Sequence, residues 1–233
     1  MIIHGFNKTT LLDYPGKLAC SVFTGNCNFR CVFCQNSSLV LEPEKEPTIS
    51  DREVLDHIKK RKHILQGVCV SGGEPTLDPG LREFLTAVKE TGLPVKLDTN
   101  GYEPEILREL INDGLIDMVA MDIKSDLDGY AEIAGLDRFD PERIKESAKL
   151  IIESGIEYEF RTTVVKEYFT EKTAYGIGEW LKGAKALYLQ DFRDSDDVMV
   201  PGLHGLDSEK LIQFRDILRQ YIEKVEIRGT DAG

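Results

Sequence analysis

Short apolar segments alternate with amphipathic segments along most of this chain. The apolar segments are rich in β-branched side chains, as in strands that are covered on both faces. They predict strands over 17–24, 67–71, 94–99, 118–123, 156–165 and 186–190, with a further one at 225–228. Apolar periodicity and N-terminal Ser or Pro signals predict helices between them, over 50–62, 80–90, 104–112, 141–154, 170–182 and 208–223.

This alternation predicts an α/β fold with parallel strands and right-handed crossovers. The 233 residues offer six βα units, fewer than the eight of a complete barrel. We therefore expect a partial (βα)6 barrel of the TIM type, with a doubly wound open sheet as the alternative. Because no repeat or linker divides the chain, we predict a single domain over 1–233. It comprises a polar lead-in (1–16), the βα core (17–223) and a C-terminal strand and tail (224–233).

Composition narrows the class of protein. Apolar residues make up 41% and charged residues 30%, as in soluble globular proteins. The formal net charge of −12 disfavours a nucleic-acid partner. No signal peptide and no membrane-spanning apolar run is recognisable, so we expect no membrane association. An odd number of cysteines, five, fits a reducing compartment, and we expect a cytoplasmic protein.

Three of the cysteines stand close together, with the spacing C-x3-C-x2-C: Cys27, Cys31 and Cys34. A closed zinc site and an ordinary four-iron cluster each need four protein ligands. Three thiolates on one short loop would leave one iron of a [4Fe-4S] cluster open to a small molecule. A zinc site is the alternative, with its fourth ligand drawn from His4, Cys20 or Cys69.

Polar residues follow six successive predicted strands, at the end where parallel barrels place their active sites. Besides the cysteine loop they include Ser71–Thr76, Asp98 and Asn100, Asp122 and Lys124, Arg161 and Thr163, and Gln190. We expect them to form one polar pocket. The double glycine Gly72-Gly73 would let the backbone approach a bound ligand closely, although a tight turn is the commoner use of such a pair.

The cysteine loop and the segment Gly72-Gly73-Glu74-Pro75 together resemble two motifs of the radical S-adenosylmethionine (radical SAM) enzymes. The resemblance implies a [4Fe-4S] cluster bound by the three cysteines and S-adenosylmethionine bound at its open iron. It implies reductive cleavage to a 5′-deoxyadenosyl radical, with no catalytic residue beyond the cluster and the cofactor. The positions it assigns to cofactor contacts are Gly72, Gly73, Glu74, Asp122, Ile123 and Lys124.

Other cofactor contacts are suggested by side-chain chemistry. Asp98 and Asn100 suit ribose hydroxyls or the methionyl group. Arg161 suits the cofactor carboxylate, and a structural ion pair with Asp98 or Asp122 is the alternative. Phe33 suits packing on adenine, with core filling as the equal alternative.

The resemblance is nearest to glycyl-radical-enzyme activating proteins, in particular those of anaerobic ribonucleoside-triphosphate reductase and their pyruvate formate-lyase relatives. It is carried by the segments 12–17, 23–31, 34–36 and 121–124. It implies abstraction of a glycine hydrogen from a large partner enzyme and electrons from a flavodoxin- or ferredoxin-type donor. Gln35, a cofactor-binding candidate, stands where many activating proteins have histidine.

Two other functions stay open at this point. A small-molecule radical SAM enzyme such as 7-carboxy-7-deazaguanine synthase is also short, but it usually has Asp-Thr where this chain has Gln35-Asn36. An interaction domain with bound zinc would contain neither iron nor sulfide. His204, in the loop after the sixth predicted strand, is a further site candidate.

Overall fold

The computed structural model describes residues 1–229. Eight strands run through these residues: β1 (Ile3–Thr10), β2 (Ala19–Thr24), β3 (Gly67–Gly72), β4 (Val95–Thr99), β5 (Met118–Asp122), β6 (Glu157–Val164), β7 (Ala186–Asp191) and β8 (Lys224–Arg228). β1 to β4 lie side by side in the order of the chain, and so do β6 to β8. β1 pairs antiparallel with β2, whereas β2–β3, β3–β4, β6–β7 and β7–β8 pair parallel.

The helices alternate with the strands. They are α1 (Ser37–Leu41), α2 (Asp51–Arg61), α3 (Leu81–Lys89), α4 (Pro104–Asn112), α5 (Tyr130–Ala134), α6 (Pro141–Glu153), α7 (Glu171–Trp180) and α8 (Ser208–Leu218). Short 3-10 turns occupy Pro43–Lys45 and Pro75–Leu77. Within residues 1–229, every helix is too short or too polar to cross a membrane.

Contacts group the residues into two compact units. Unit 1 comprises Met1–Asn28, Ser38–Ala120 and Ser154–Glu157, and unit 2 comprises Phe29–Ser37, Met121–Glu153 and the chain from Tyr158 onward. The single domain predicted over 1–233 stays a prediction, and the last four residues of its tail lie outside the described residues.

Each unit has an apolar core built as the sequence pattern predicts. In unit 1, α3 buries Leu81, Phe84, Leu85 and Val88, which recur on one face of a helix. Strand β3 is buried from Gly67 to Val70, as expected of a strand covered on both faces. In unit 2, Phe160, Val164, Leu187 and Leu189 are fully buried. The predicted α/β class with parallel strands is confirmed.

Three local expectations are corrected. The predicted polar lead-in 1–16 contains strand β1, which lies at the edge of the sheet. Most residues of β1 are at least partly exposed, so its sequence lacks the apolar pattern of a buried strand. Helix α5 was not predicted, because a five-residue helix carries little periodic signal. Ser50 precedes α2 as expected, but its side chain makes no capping hydrogen bond.

Candidate active site

The cysteine loop contributes residues to both units. All five cysteines lie in the described part of the chain, and none forms a disulfide bond. Cys27 belongs to unit 1, and Cys31 and Cys34 belong to unit 2. Within residues 1–229, no group of three or more histidine, cysteine or acidic side chains is arranged as a metal site.

In unit 1, Cys27 lies beside two amide side chains. Nδ2 of Asn100 is 3.7 Å from the Sγ of Cys27 and donates to Oδ1 of Asn28 at 2.7 Å. Asn100 follows β4, so the expected strand-end position is confirmed. It is 5% exposed, and its contact with the first cysteine connects the end of β4 to the cysteine loop.

The double glycine packs against backbone. The N–H of Gly73 donates to the carbonyl of Thr24 at 2.8 Å, and the N–H of Glu74 donates to the carbonyl of Asn26 at 2.7 Å. Gly72 has φ +120°. A Cβ at Gly72 would overlap the backbone of Thr24, and one at Gly73 would overlap the carbonyl oxygen of Asn26. The chain that leads into Cys27 therefore approaches both glycines closely, and their predicted contact with a ligand stays a prediction.

Glu74 is engaged within the protein. The side chain is 1% exposed. One carboxylate oxygen accepts from the N–H and the hydroxyl of Thr76, at 3.1 and 2.6 Å, and from the hydroxyl of Thr99 at 2.8 Å. The other accepts from the N–H of Asn100 at 2.7 Å. Burial raises the pKa of Glu74, and these bonds oppose the rise. Glu74 thus joins the ends of β3 and β4, and its predicted contact with a cofactor stays a prediction.

Asp98 lies in a buried ion pair that the sequence analysis did not identify. Lys96 is two residues earlier on β4 and pairs with Asp98, with side chains 1% and 12% exposed. Cys69, opposite Lys96 in the β3–β4 register, is 3.7 Å from Oδ1 of Asp98 and 3.9 Å from Nζ of Lys96. A lysine inside an apolar strand, two positions from an aspartate, was the signal that could have revealed this pair.

In unit 2, the last two cysteines differ in exposure. Cys31 is 7% exposed, whereas Cys34 is half-buried. Burial raises the pKa of the Cys31 thiol to about 11, although the ammonium of Lys124 favours the thiolate. The N–H of Cys34 donates to the carbonyl of Cys31 at 2.9 Å. Phe33 is buried, and its ring centroid is 5.9 Å from Nζ of Lys124.

Asp122, Lys124 and Arg161 form a charged triad. Nε of Arg161 donates to one oxygen of Asp122 at 2.8 Å, and Nζ of Lys124 donates to the other at 3.1 Å. Burial raises the pKa of Asp122, but the two cations outweigh it and lower the pKa to about 2. The structural ion pair considered for Arg161 is therefore present with Asp122. Contacts of these three residues with a cofactor stay predictions.

The remaining candidates have protein partners. Ile123 is fully buried, and its N–H donates to the carbonyl of Arg161 at 2.7 Å. Gln35 donates through Nε2 to the carbonyl of Arg193. His204 lies on an exposed loop, with Nδ1 2.8 Å from Oε1 of Glu167. Tyr130, which the sequence analysis missed, is fully buried and donates to the carbonyl of Asp122 at 3.3 Å.

The three residues that could complete a zinc site with the cysteine loop lie in β1, β2 and β3. Cys20 and Cys69 are fully buried in β2 and β3, as expected of core residues. Nδ1 of His4 is buried and has no hydrogen-bond partner among the described residues.

Comparisons with known proteins identify relatives over nearly the whole chain. Residues 21–174 match the Radical SAM superfamily. A Methanocaldococcus jannaschii protein provisionally named a glycyl-radical enzyme activating enzyme is 32% identical over 97% of this chain and 95% of its own length. The pyruvate formate-lyase 1-activating enzyme of Escherichia coli is 26% identical over 96% of this chain and 97% of its own length.

A solved structure shows the same fold. Streptococcus suis SuiB bound to S-adenosylmethionine has a TM-score of 0.68 and 15% sequence identity over 89% of this chain. The chain spans about half the length of SuiB, 49%. At this identity the likeness concerns the fold alone.

Proposed function

Because the chain belongs to the radical SAM superfamily, we propose that it is a glycyl-radical-enzyme activating enzyme whose partner is an anaerobic ribonucleoside-triphosphate reductase. The observation that carries the proposal is the near full-length similarity to activating enzymes of almost equal length. The choice of the reductase rests on the sequence motifs around Asp13, Cys27 and Asp122, which resemble its activating proteins.

The number and type of the cysteine ligands fit a [4Fe-4S] cluster. Cys27, Cys31 and Cys34 supply three thiols outside any disulfide, and a cluster with one open iron needs three. Because burial holds Cys31 protonated, that thiol would lose its proton when it binds iron. The positive charge of Lys124 favours the resulting thiolate.

When bound, the cluster and S-adenosylmethionine would supply the hydrogen-abstracting radical that activation requires. The triad of Asp122, Lys124 and Arg161 carries one net positive charge, which suits the methionyl carboxylate. The buried ring of Phe33 offers an apolar face to adenine. Gly72, Gly73, Glu74, Asp98, Asn100, Ile123 and Gln35 remain the other proposed positions around the cofactor.

The partner would be a protein. The acidic chain, with a formal net charge of −12, repels nucleic acid, and the substrate would be a glycine-bearing loop of the partner enzyme. We propose a flavodoxin- or ferredoxin-type protein as the electron donor.

The test is activation under anaerobic conditions. The reconstituted chain, reductant and S-adenosylmethionine are mixed with an anaerobic ribonucleoside-triphosphate reductase, and the glycyl radical is measured by electron paramagnetic resonance. We expect a doublet that collapses when the glycine α-hydrogen is replaced by deuterium. The Cys34→Ala variant should give no signal.

Other outcomes redirect the proposal. If the radical forms only on an enzyme of the pyruvate formate-lyase type, that enzyme, and not the reductase, is the partner. Turnover of a purine-like small molecule, with no radical on any protein, would support the deazaguanine-type function. Zinc without iron or sulfide in the purified chain would support an interaction domain.

A further inference from the structure

A segment of unit 2 runs antiparallel to the cysteine loop and is bonded to it. This segment, residues 193–200, is called the strap here and lies between β7 and α8. The N–H of Val200 donates to the carbonyl of Val32 at 3.1 Å, and the N–H of Met199 donates to the carbonyl of Cys34 at 2.9 Å. The strap therefore binds the backbone on both sides of Phe33.

Asp197 fastens the strap to the end of the same loop. Its carboxylate accepts from the hydroxyl of Ser37 at 2.6 Å, and its carbonyl accepts from the N–H of Ser37 at 3.3 Å. A hydrogen bond from a hydroxyl to a carboxylate is charge-assisted and stronger than a neutral one. This bond joins a side chain of the strap to a side chain at the end of the cysteine loop.

Both ends of the strap are held as well. Nε2 of Gln35 donates to the carbonyl of Arg193, and Arg193 donates to the carbonyl of Gly229. Beyond the other end, the N–H of His204 donates to the carboxylate of Glu167 at 3.1 Å. The carbonyl of His204 accepts from the N–H of Lys166 at 2.9 Å. The strap is thus a span that is fixed at both ends and bonded to the cysteine loop in between.

The strap also contains its own control residue. Asp194, Ser195 and Asp196 are exposed, whereas Asp197 is half-buried against Ser37. Asp196 has the same charge as Asp197 and adjoins it in sequence. Substituting either aspartate by alanine changes the net charge equally, and only the change at 197 removes the bond to Ser37.

We infer that the strap orders the loop of Cys31 and Cys34 before a cluster is bound, and that Asp197 is the positioning residue that fastens the strap. A flexible loop loses conformational entropy when it binds a cluster, and this loss weakens binding. A loop that is already ordered avoids the loss, so it should retain the cluster longer. The consequence for the cluster rests on the proposed function, whereas the fastening itself is a property of the chain alone.

The first measurement uses the full chain without a cluster. Hydrogen–deuterium exchange is followed at the amides of Met199 and Val200. Asp197→Ala and Ser37→Ala should each exchange several-fold faster at these amides than the unchanged chain, and Asp196→Ala should not. Because both variants remove the bond between Ser37 and Asp197, the double variant should exchange no faster than Asp197→Ala alone.

The second measurement uses the reconstituted chain. An iron chelator is added without oxygen, and loss of the cluster is followed by absorbance. Loss of one charge-assisted bond should make Asp197→Ala release its cluster about fivefold to tenfold faster, with Asp196→Ala within about twofold of the unchanged chain. Asp197→Asn keeps an acceptor oxygen and should restore most of the retention.

The outcomes separate the two claims. Equal exchange at Met199 and Val200 in all chains, or equal release by Asp197→Ala and Asp196→Ala, would overturn the role of the strap. Failure of the unchanged chain to bind iron and sulfide would overturn the proposed function instead, and the exchange measurement would still decide whether Asp197 fastens the strap.

Discussion

Gly73 lies so close to Asn26 that a Cβ at residue 73 would overlap the carbonyl oxygen of Asn26. The neighbouring N–H of Glu74 donates to the same carbonyl at 2.7 Å. Because Asn26 directly precedes Cys27, the glycine motif after β3 sets the path of the chain into the first cysteine. The second glycine is required by packing between two backbone segments of unit 1.

We therefore predict that Gly73→Ala loses the iron–sulfur cluster as well as cofactor binding, since the clash moves the backbone at Cys27. Iron and sulfide analysis after anaerobic reconstitution measures this. Gly92→Ala is the control, because a Cβ there meets nothing within 4 Å. Its positive φ should cost about 1 kcal/mol of stability and leave the iron content unchanged. A full cluster in Gly73→Ala would contradict the prediction.

The cysteines should differ in reactivity when no cluster is bound. At pH 8 a thiol with a pKa of about 11 is thiolate in about one molecule per thousand, so Cys31 should react slowly with iodoacetamide. Cys20, whose pKa burial raises to about 12, should also react slowly. The half-buried Cys27 and Cys34 should be modified first.

Peptide mass spectrometry over time gives the order of modification. Unfolding in urea is the control, because all five cysteines should then react at similar rates. If Cys31 is modified as fast as Cys34 in the folded chain, the burial of Cys31 does not control the protonation of its thiol.

Acid should weaken the fold through Asp122. Its pKa is lowered to about 2 in the folded chain from an ordinary value of 3.8, so the folded state binds the proton less well than the unfolded state. The stabilisation is complete above about pH 4 and is lost as the pH falls toward 2, by about 2 kcal/mol. Urea unfolding at several pH values should show this decline.

The variant Asp122→Asn should be less stable at pH 7 and should lose less stability on acidification. Asp137→Asn changes an exposed aspartate and should keep the decline of the unchanged chain. An equal decline in Asp122→Asn would assign the acid sensitivity to other carboxyl groups.

Removing one partner of the buried ion pair between Lys96 and Asp98 should lower the free energy of unfolding strongly. Lys96→Met removes the ammonium that pairs with the Asp98 carboxylate in a site where the lysine is 1% exposed, and should cost about 3 kcal/mol of unfolding free energy. Adding Asp98→Asn to Lys96→Met should recover part of the loss, because the negative charge of residue 98 is then gone.

An exposed pair provides the matched control. Lys172 and Asp128 are 3.0 Å apart with side chains 75% and 78% exposed, so Lys172→Met should cost less than about 1 kcal/mol. Urea unfolding at pH 7 measures both variants. Similar small losses in Lys96→Met and Lys172→Met would mean that water reaches Asp98.

The sequence by itself determined the strand–helix alternation and the family. Short apolar segments rich in β-branched residues, such as 67–71 and 118–123, are typical of strands covered on both faces, and the spacing of Cys27, Cys31 and Cys34 is a property of the chain. The strand-end positions of Asp98, Asn100 and Asp122 followed from the parallel arrangement, because every such strand ends on the same side.

Only the tertiary structure decided which of these residues bind one another. Glu74 is bonded to Thr99 and Asn100, and Asp197 to Ser37, across sequence separations that no local pattern encodes. The sequence also did not predict the edge strand β1, because a half-exposed strand needs few apolar residues. Periodicity reports which face of an element is buried, whereas the partner of a polar group depends on which elements the fold brings together.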